Sequence, residues 1–189
     1  MNRKEALNAY LESQRLRKRN PLAPRGLLIG QAAPKTAKGH ASAHALFPHP
    51  KTSAGYRLFA MSKWSAVDWF VYWERINTIA EFPGRGDGKG DAFPVKEARR
   101  CAEENVERYE MRSRVCLFVG KSNAKAYEWS DWPQPFEIVE TLEGGHWAWI
   151  PHTSGIVQSW NKSENRGRLQ TTLGRMRDIL GVDLSPLDR

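Results

Sequence analysis

Pro151-His152-Thr153-Ser154-Gly155 sets an imidazole, two hydroxyls and a flexible backbone directly behind a short β-prone run, Trp147-Ala148-Trp149-Ile150. Pro151 cannot donate a ladder hydrogen bond, so the strand stops there. In open α/β sheets, ligands bind outside the carboxyl ends of the strands. The same residues also fit a plain strand-to-helix turn with a solvated histidine. Two further strand ends carry polar groups: Leu27-Leu28-Ile29 runs into Gly30-Gln31, and Arg75-Ile76-Asn77-Thr78-Ile79 holds an amide near its end. After that second strand come Gly84, Gly86, Gly88 and Gly90 interleaved with Arg85, Asp87, Lys89 and Asp91. The loop lacks the glycine spacing and the Lys-Ser/Thr ending of a phosphate loop. It reads either as a surface loop or as an active-site loop supplying a carboxylate. His40, His44 and His49 are irregularly spaced with no carboxylate nearby, so no metal site is expected.

The elements that must hold these groups follow from periodicity. Asn2 with Glu5 three residues on forms a capping box. Ala6, Leu7, Tyr10 and Leu11 then predict an amphipathic helix ending at Arg15-Leu16-Arg17-Lys18-Arg19. Cations suit a helix C-terminus, and they suit phosphate contact equally well. Pro21 and Pro24 mark an extended connector, and residues 35–55 read as loop. Leu58, Met61, Trp64, Val67, Phe70 and Val71 recur at helical spacing, with a break near Ser62. Val95, Ala98, Cys101, Ala102, Val106 and Tyr109 predict a long helix, and Val115–Val119 a buried strand. A short helix over 121–129 follows, then a Pro-rich loop at 132–135. Leu169, Leu173, Met176, Ile179 and Leu180 predict a last helix with Gly181 as its C-cap. Four short apolar strands alternating with helices predict a parallel sheet between helical layers.

A chain of 189 residues with eight tryptophans supports one well-buried domain. The net charge of +8 favours polyanionic partners, nucleic acid above all. Residues 1–25 hold seven Lys/Arg against two Glu, so +5 of that charge lies in the basic N-terminal helix and connector. Cys101 and Cys116 form no Cys-x-x-Cys pair, which argues against a cysteine-built zinc or iron–sulfur site and for a reducing compartment. No secretory signal and no run of membrane-spanning length are present, so a cytoplasmic protein without membrane contact is expected.

Taken together, the strand-end motifs resemble those of the uracil-DNA glycosylase superfamily. Leu27-Leu28-Ile29-Gly30-Gln31-Ala32-Ala33-Pro34 resembles the first motif, seen as GQDPY or GEAPG, and Asn77-Thr78-Ile79 the Asn-bearing strand end. Pro151-His152-Thr153-Ser154-Gly155-Ile156 resembles the HPS motif, and Gly55-Tyr56-Arg57-Leu58 the start of the helix after the first motif. The resemblance implies a three-layer α/β/α sandwich around a central four-stranded parallel sheet, with residues 26–189 as the glycosylase-like domain. The function it implies is hydrolysis of the N-glycosidic bond of uracil or another modified pyrimidine, after the base has been flipped out of DNA.

By that resemblance His152 stabilises charge on the departing base, Asn77 reads the base edge, and Gly30 and Gln31 line the base pocket. Phe47 or Tyr56 stacks on the base, Ser154 and Gly155 hold a phosphate, and Ile156 is the apolar wedge. The chain departs from the pattern at Ala32-Ala33, where many members carry an Asp or Asn that positions the attacking water, and it has one residue more before Pro34. Asp87 or Asp91 is the candidate substitute for that carboxylate. Thr153 replaces the HPS proline, and the four cysteines of the iron–sulfur branch are missing. The expected protein is a monomer that needs no cofactor or metal and has DNA as its partner. The alternative is a catalytically inactive member that keeps the fold as a DNA-binding or interaction module.

Overall fold

A computed structural model describes residues 1–19, 25–32, 45–84, 93–128, 133–153 and 158–181. Asn2 and Glu5 close the capping box: Asn2 N donates to Glu5 Oε2 at 2.7 Å and Glu5 N to Asn2 Oδ1 at 2.9 Å. They open α1 (Arg3–Arg19). Then come β1 (Gly26–Ala32), α2 (Ala54–Ser62), α3 (Ala66–Tyr72) and β2 (Trp73–Ile79). The α2–α3 break has a local cause. Lys63 takes a left-handed conformation at φ 61°, and the Ser65 side chain caps the next helix through Asp68 N. α4 (Val95–Arg108), β3 (Val115–Val119) and α5 (Lys121–Ala126) follow. The chain ends in β4 (Val139–Glu140), β5 (His146–Ile150) and α6 (Ser163–Leu180), with Gly181 left-handed at φ 62° as the C-cap.

Among the described residues the sheet has five strands in the order β2-β1-β3-β5-β4. β2, β1, β3 and β5 pair in parallel, whereas β4 is antiparallel to β5. The four-stranded parallel sheet expected from sequence therefore needs correcting to a five-stranded mixed one. The added strand is a two-residue arm of a hairpin, too short to show a period. Its turn closes through Thr141 N to Gly145 O at 2.8 Å.

Both faces of the parallel strands are covered, which is why β1 and β3 read as unbroken apolar runs. On one face Leu28, Leu117, Val119, Ala148 and Ile150 pack with Ala9 of α1, Leu58 of α2, Trp69 and Phe70 of α3 and Leu169, Leu173 and Met176 of α6. On the other, Leu27, Ile29, Phe118 and Trp147 pack with Ala98 and Ala102 of α4 and Ala124 of α5. The first helix turns a different face inward from the one its leucines suggest. Ala6, Ala9 and Ser13 are buried, while Leu7 and Leu11 are about half exposed. Small residues let α1 lie close to α3, where Tyr10 meets the Phe70 ring edge-on at 5.5 Å. Val95, at the first turn of α4, is likewise exposed.

Arg17, within the basic run at the end of α1, lies at the end of the sheet remote from the strand carboxyl ends. Arg17, Arg25, Glu74, Arg114 and Leu180 line a cavity of about 510 Å³ there. Arg25 donates to Phe70 O (2.7 Å) and Val71 O (3.2 Å) at the end of α3. Arg114 donates to Arg25 O (2.9 Å) and pairs with Glu74 at 3.1 Å. Burial lowers the Arg17 and Arg25 pKa values, Arg25 to about 10. The guanidiniums of Arg25 and Arg114 answer backbone carbonyls, so structural work accounts for this cavity.

Candidate functional site

The carboxyl ends of the four parallel strands converge as the sequence suggests. Gly30 on β1 pairs with Asn77 on β2 in the ladder register. A Cβ at Gly30 would lie 2.5 Å from Asn77 Oδ1 and 3.2 Å from Leu46 Cγ. Only glycine leaves room for the Asn77 amide to lean over β1. The Asn77 Nδ2 group is buried and has no hydrogen-bond partner among the described residues. Such a group costs about 1–3 kcal/mol unless something binds it.

Across the sheet, Gly120 at the end of β3 brings Gln31 and His152 together. A Cβ there would lie 3.2 Å from Gln31 Nε2 and 3.4 Å from His152 Cδ2. Gly120 N donates to Ile150 O at 2.8 Å, which ties the β3 end to the β5 end. Half-buried His152 is fixed through its backbone, because Trp160 Nε1 donates to His152 O at 3.0 Å. The next residue, Thr153, is fully buried and donates to Ala54 O at 2.8 Å, so its hydroxyl anchors α2.

The segment 45–47 forms the roof over Gly30. Leu46 takes a left-handed backbone at φ 44°. Its main chain, with that of Phe47, packs so closely on Gly55 that a Cβ there would lie within 2.6 Å of three backbone atoms. The Phe47 ring is half-buried and tilts against Phe70 with centroids 5.6 Å apart. Tyr56 sits in the first turn of α2, its backbone N–H held by the Ser53 cap at 3.0 Å.

Behind these groups runs a buried chain of hydrogen bonds with a forced direction. Asn123 Nδ2 donates to Ile29 O at 2.9 Å, so its Oδ1 faces the Thr78 hydroxyl at 2.5 Å. An amide oxygen only accepts, so Thr78 donates to it and takes its own bond from the Tyr127 hydroxyl, 3.0 Å away. Asn105 Nδ2 then donates to Tyr127 at 3.3 Å. Burial pushes the Tyr127 phenol pKa up to about 12, which keeps it a donor at any ordinary pH. Ile29 precedes Gly30 and Thr78 follows Asn77, so this chain fixes the two strand ends against each other.

The structure thus brings Gly30, Gln31, Asn77 and His152 to one edge and puts Phe47 beside them. Asp87, Asp91, Ser154, Gly155 and Ile156 lie outside the described residues. Reading from sequence missed Gly120, which repeats at β3 the signal already used at Gly30, a glycine closing a buried apolar run. It also missed Leu46 and Asn123, whose roles depend on partners distant in the chain. Among the described residues no three His, Cys, Asp or Glu side chains converge as a metal site would require, and no helix is long and apolar enough to cross a membrane. No protein-family model matches the chain, and no curated protein matches it.

Proposed function

We propose that the chain is a DNA base glycosylase of the uracil-DNA glycosylase kind, acting on uracil or another modified pyrimidine flipped out of DNA. The observation that carries this reading is the buried Asn77 Nδ2 group, without a hydrogen-bond partner among the described residues, at the same end of the sheet as His152. β2 and β5 are three strand spacings apart, roughly 14 Å. An amide can meet the acceptor and donor of a pyrimidine edge together. Opposite it, His152 stabilises the charge that forms on the base as the C1′–N1 bond breaks and its electron pair stays with the nitrogen. Water adds to C1′, and the proton it releases returns to the base. Asp87 or Asp91 would orient that water. The net charge of +8 suits a DNA partner.

The competing reading keeps the fold as a non-catalytic DNA-binding module. Ala32, at the end of β1 where the resemblance would put a water-positioning Asp or Asn, favours it. Single- and double-stranded oligonucleotides containing uracil, followed by alkaline cleavage at abasic sites, separate the two. Strand cleavage supports the enzyme. Salt-sensitive binding with no abasic product from uracil or other modified pyrimidines supports the module.

The Asn77 assignment has its own test in Gly30→Ala. The added methyl drives the amide off its seat, at a packing cost of about 1–3 kcal/mol. Uracil excision is expected to fall at least about tenfold in kcat/KM. Wild-type kcat/KM in a folded G30A protein would remove Asn77 from base recognition.

A further inference from the structure

β2 contributes a second side chain toward this edge. Arg75 precedes Asn77 by two residues, so both leave the same face of the strand. Its guanidinium carbon lies 5.2 Å from the Phe47 ring centroid and 4.9 Å from that of Phe70. Arg75 Nη1 donates to Ala45 O at 3.2 Å. One guanidinium therefore holds the 45–47 roof at its backbone and at its aromatic ring. The roof needs holding, since a left-handed non-glycine residue such as Leu46 costs of order 1–3 kcal/mol unless its surroundings over-determine it. Ser53 Oγ, which donates to Phe47 O at 3.3 Å, and the close-packed Gly55 clamp the same turn.

Placing the roof does not by itself call for a charge. Arg75 has no carboxylate within ion-pair distance among the described residues. Burial lowers its pKa to about 10, yet it remains protonated at neutral pH. A desolvated cation held against an aromatic ring gains from the ring's quadrupole, and its field passes through the ring with little screening. A base stacked on the far side of Phe47, about 3.5 Å from the ring, would lie roughly 9 Å from the guanidinium.

We propose that Arg75 is a positioning residue of the pocket, fixing Phe47 as the stacking platform and biasing the pocket toward bases that carry negative charge. This inference rests on the base-pocket reading above. It narrows the ligand class to pyrimidines that are acidic or that leave as anions. At 9 Å and an effective dielectric of about 20, the bias amounts to about 20-fold between an anionic and a neutral ring.

The test compares binding of two free bases by titration calorimetry at pH 7. Uracil serves as the neutral ring and barbiturate as the anionic one. Wild-type protein is expected to prefer barbiturate. Arg75→Met keeps the length of the side chain and removes its charge, and should lower that preference about 20-fold. Arg75→Lys should restore most of it while still weakening both ligands, because an ammonium cannot stack flat or hold Ala45 in the same way. Equal weakening of both bases in R75M, or an unaltered ratio, overturns the role of the charge and leaves the pocket standing. Should R75M not fold, a loss of the preference in folded R75K overturns it as well. Wild-type protein that binds neither base, and yields no abasic product, instead overturns the pocket reading itself.

Discussion

Replacing His152 with alanine is expected to slow uracil excision by roughly 10²–10³-fold in kcat, the usual effect of removing one donor from a site where an anion develops. The protein should stay folded. The bond from Trp160 Nε1 to its backbone carbonyl is one that alanine retains. The methyl of alanine occupies the place of the native Cβ beside Gly120, so no cavity opens in the core. KM for a uracil-containing oligonucleotide should change by less than about threefold, because charge on the base develops only in the transition state. Single-turnover excision of H152A at saturating enzyme checks this directly. An unchanged rate would place His152 outside the chemistry, and a rise confined to KM would make it a binding group.

The second large effect is on stability, and it falls on a residue far from any ligand. Asn123→Ala should destabilise the fold by about 2–4 kcal/mol, since it removes the side-chain donor to the Ile29 carbonyl and the acceptor of the Thr78 hydroxyl at a buried site. For a chain of this size the thermal midpoint would fall by roughly 4–16 °C. Thr78→Val breaks the same chain one link further on, so the double variant should lose less than the sum of the two single losses. A coupling below about 0.5 kcal/mol would mean that the hydrogen bonds act separately. Uracil excision should decline in N123A at temperatures where the protein is still folded, because the Gly30 and Asn77 strand ends lose their common brace.

Some of this was legible in the sequence and some was not, for physical reasons. Apolar runs such as Leu27-Leu28-Ile29 announce strands buried on both faces, and the polar residues that end them mark the edge where they meet. The capping box, the break after Ser62 and the Gly181 cap are local devices and can be read locally. The inward face of α1 could not be read, because alanine and serine at a close helix contact carry no hydrophobic signal while exposed Leu7 and Leu11 do. β4 has two residues, fewer than one period of any pattern can show. Asn123 in Lys121-Ser122-Asn123 resembles a solvated helix start, but its partners lie 45 and 94 residues away. Arg75 looks like an ordinary strand residue until Phe47 and Phe70 fold over it.

The strand order also has a consequence for how the two halves of the pocket respond to stress. His152 follows β5, which pairs with β3 along its length, with β4 at His146 and Trp147, and through Trp149 O with Phe136 N, whereas Asn77 belongs to β2, which among the described residues has a strand neighbour on one side only. Strands at a margin open more easily than interior ones, because half their main-chain groups are bonded to no other strand. On the proposed reading, recognition and charge stabilisation would be seated in ground of unequal firmness. On that reading, a base entering between them would meet a firmer histidine wall and a more yielding asparagine wall. Adjustment to rings of different shape would then come from the β2 side, with the Asn123–Thr78–Tyr127 chain setting how far that wall can give.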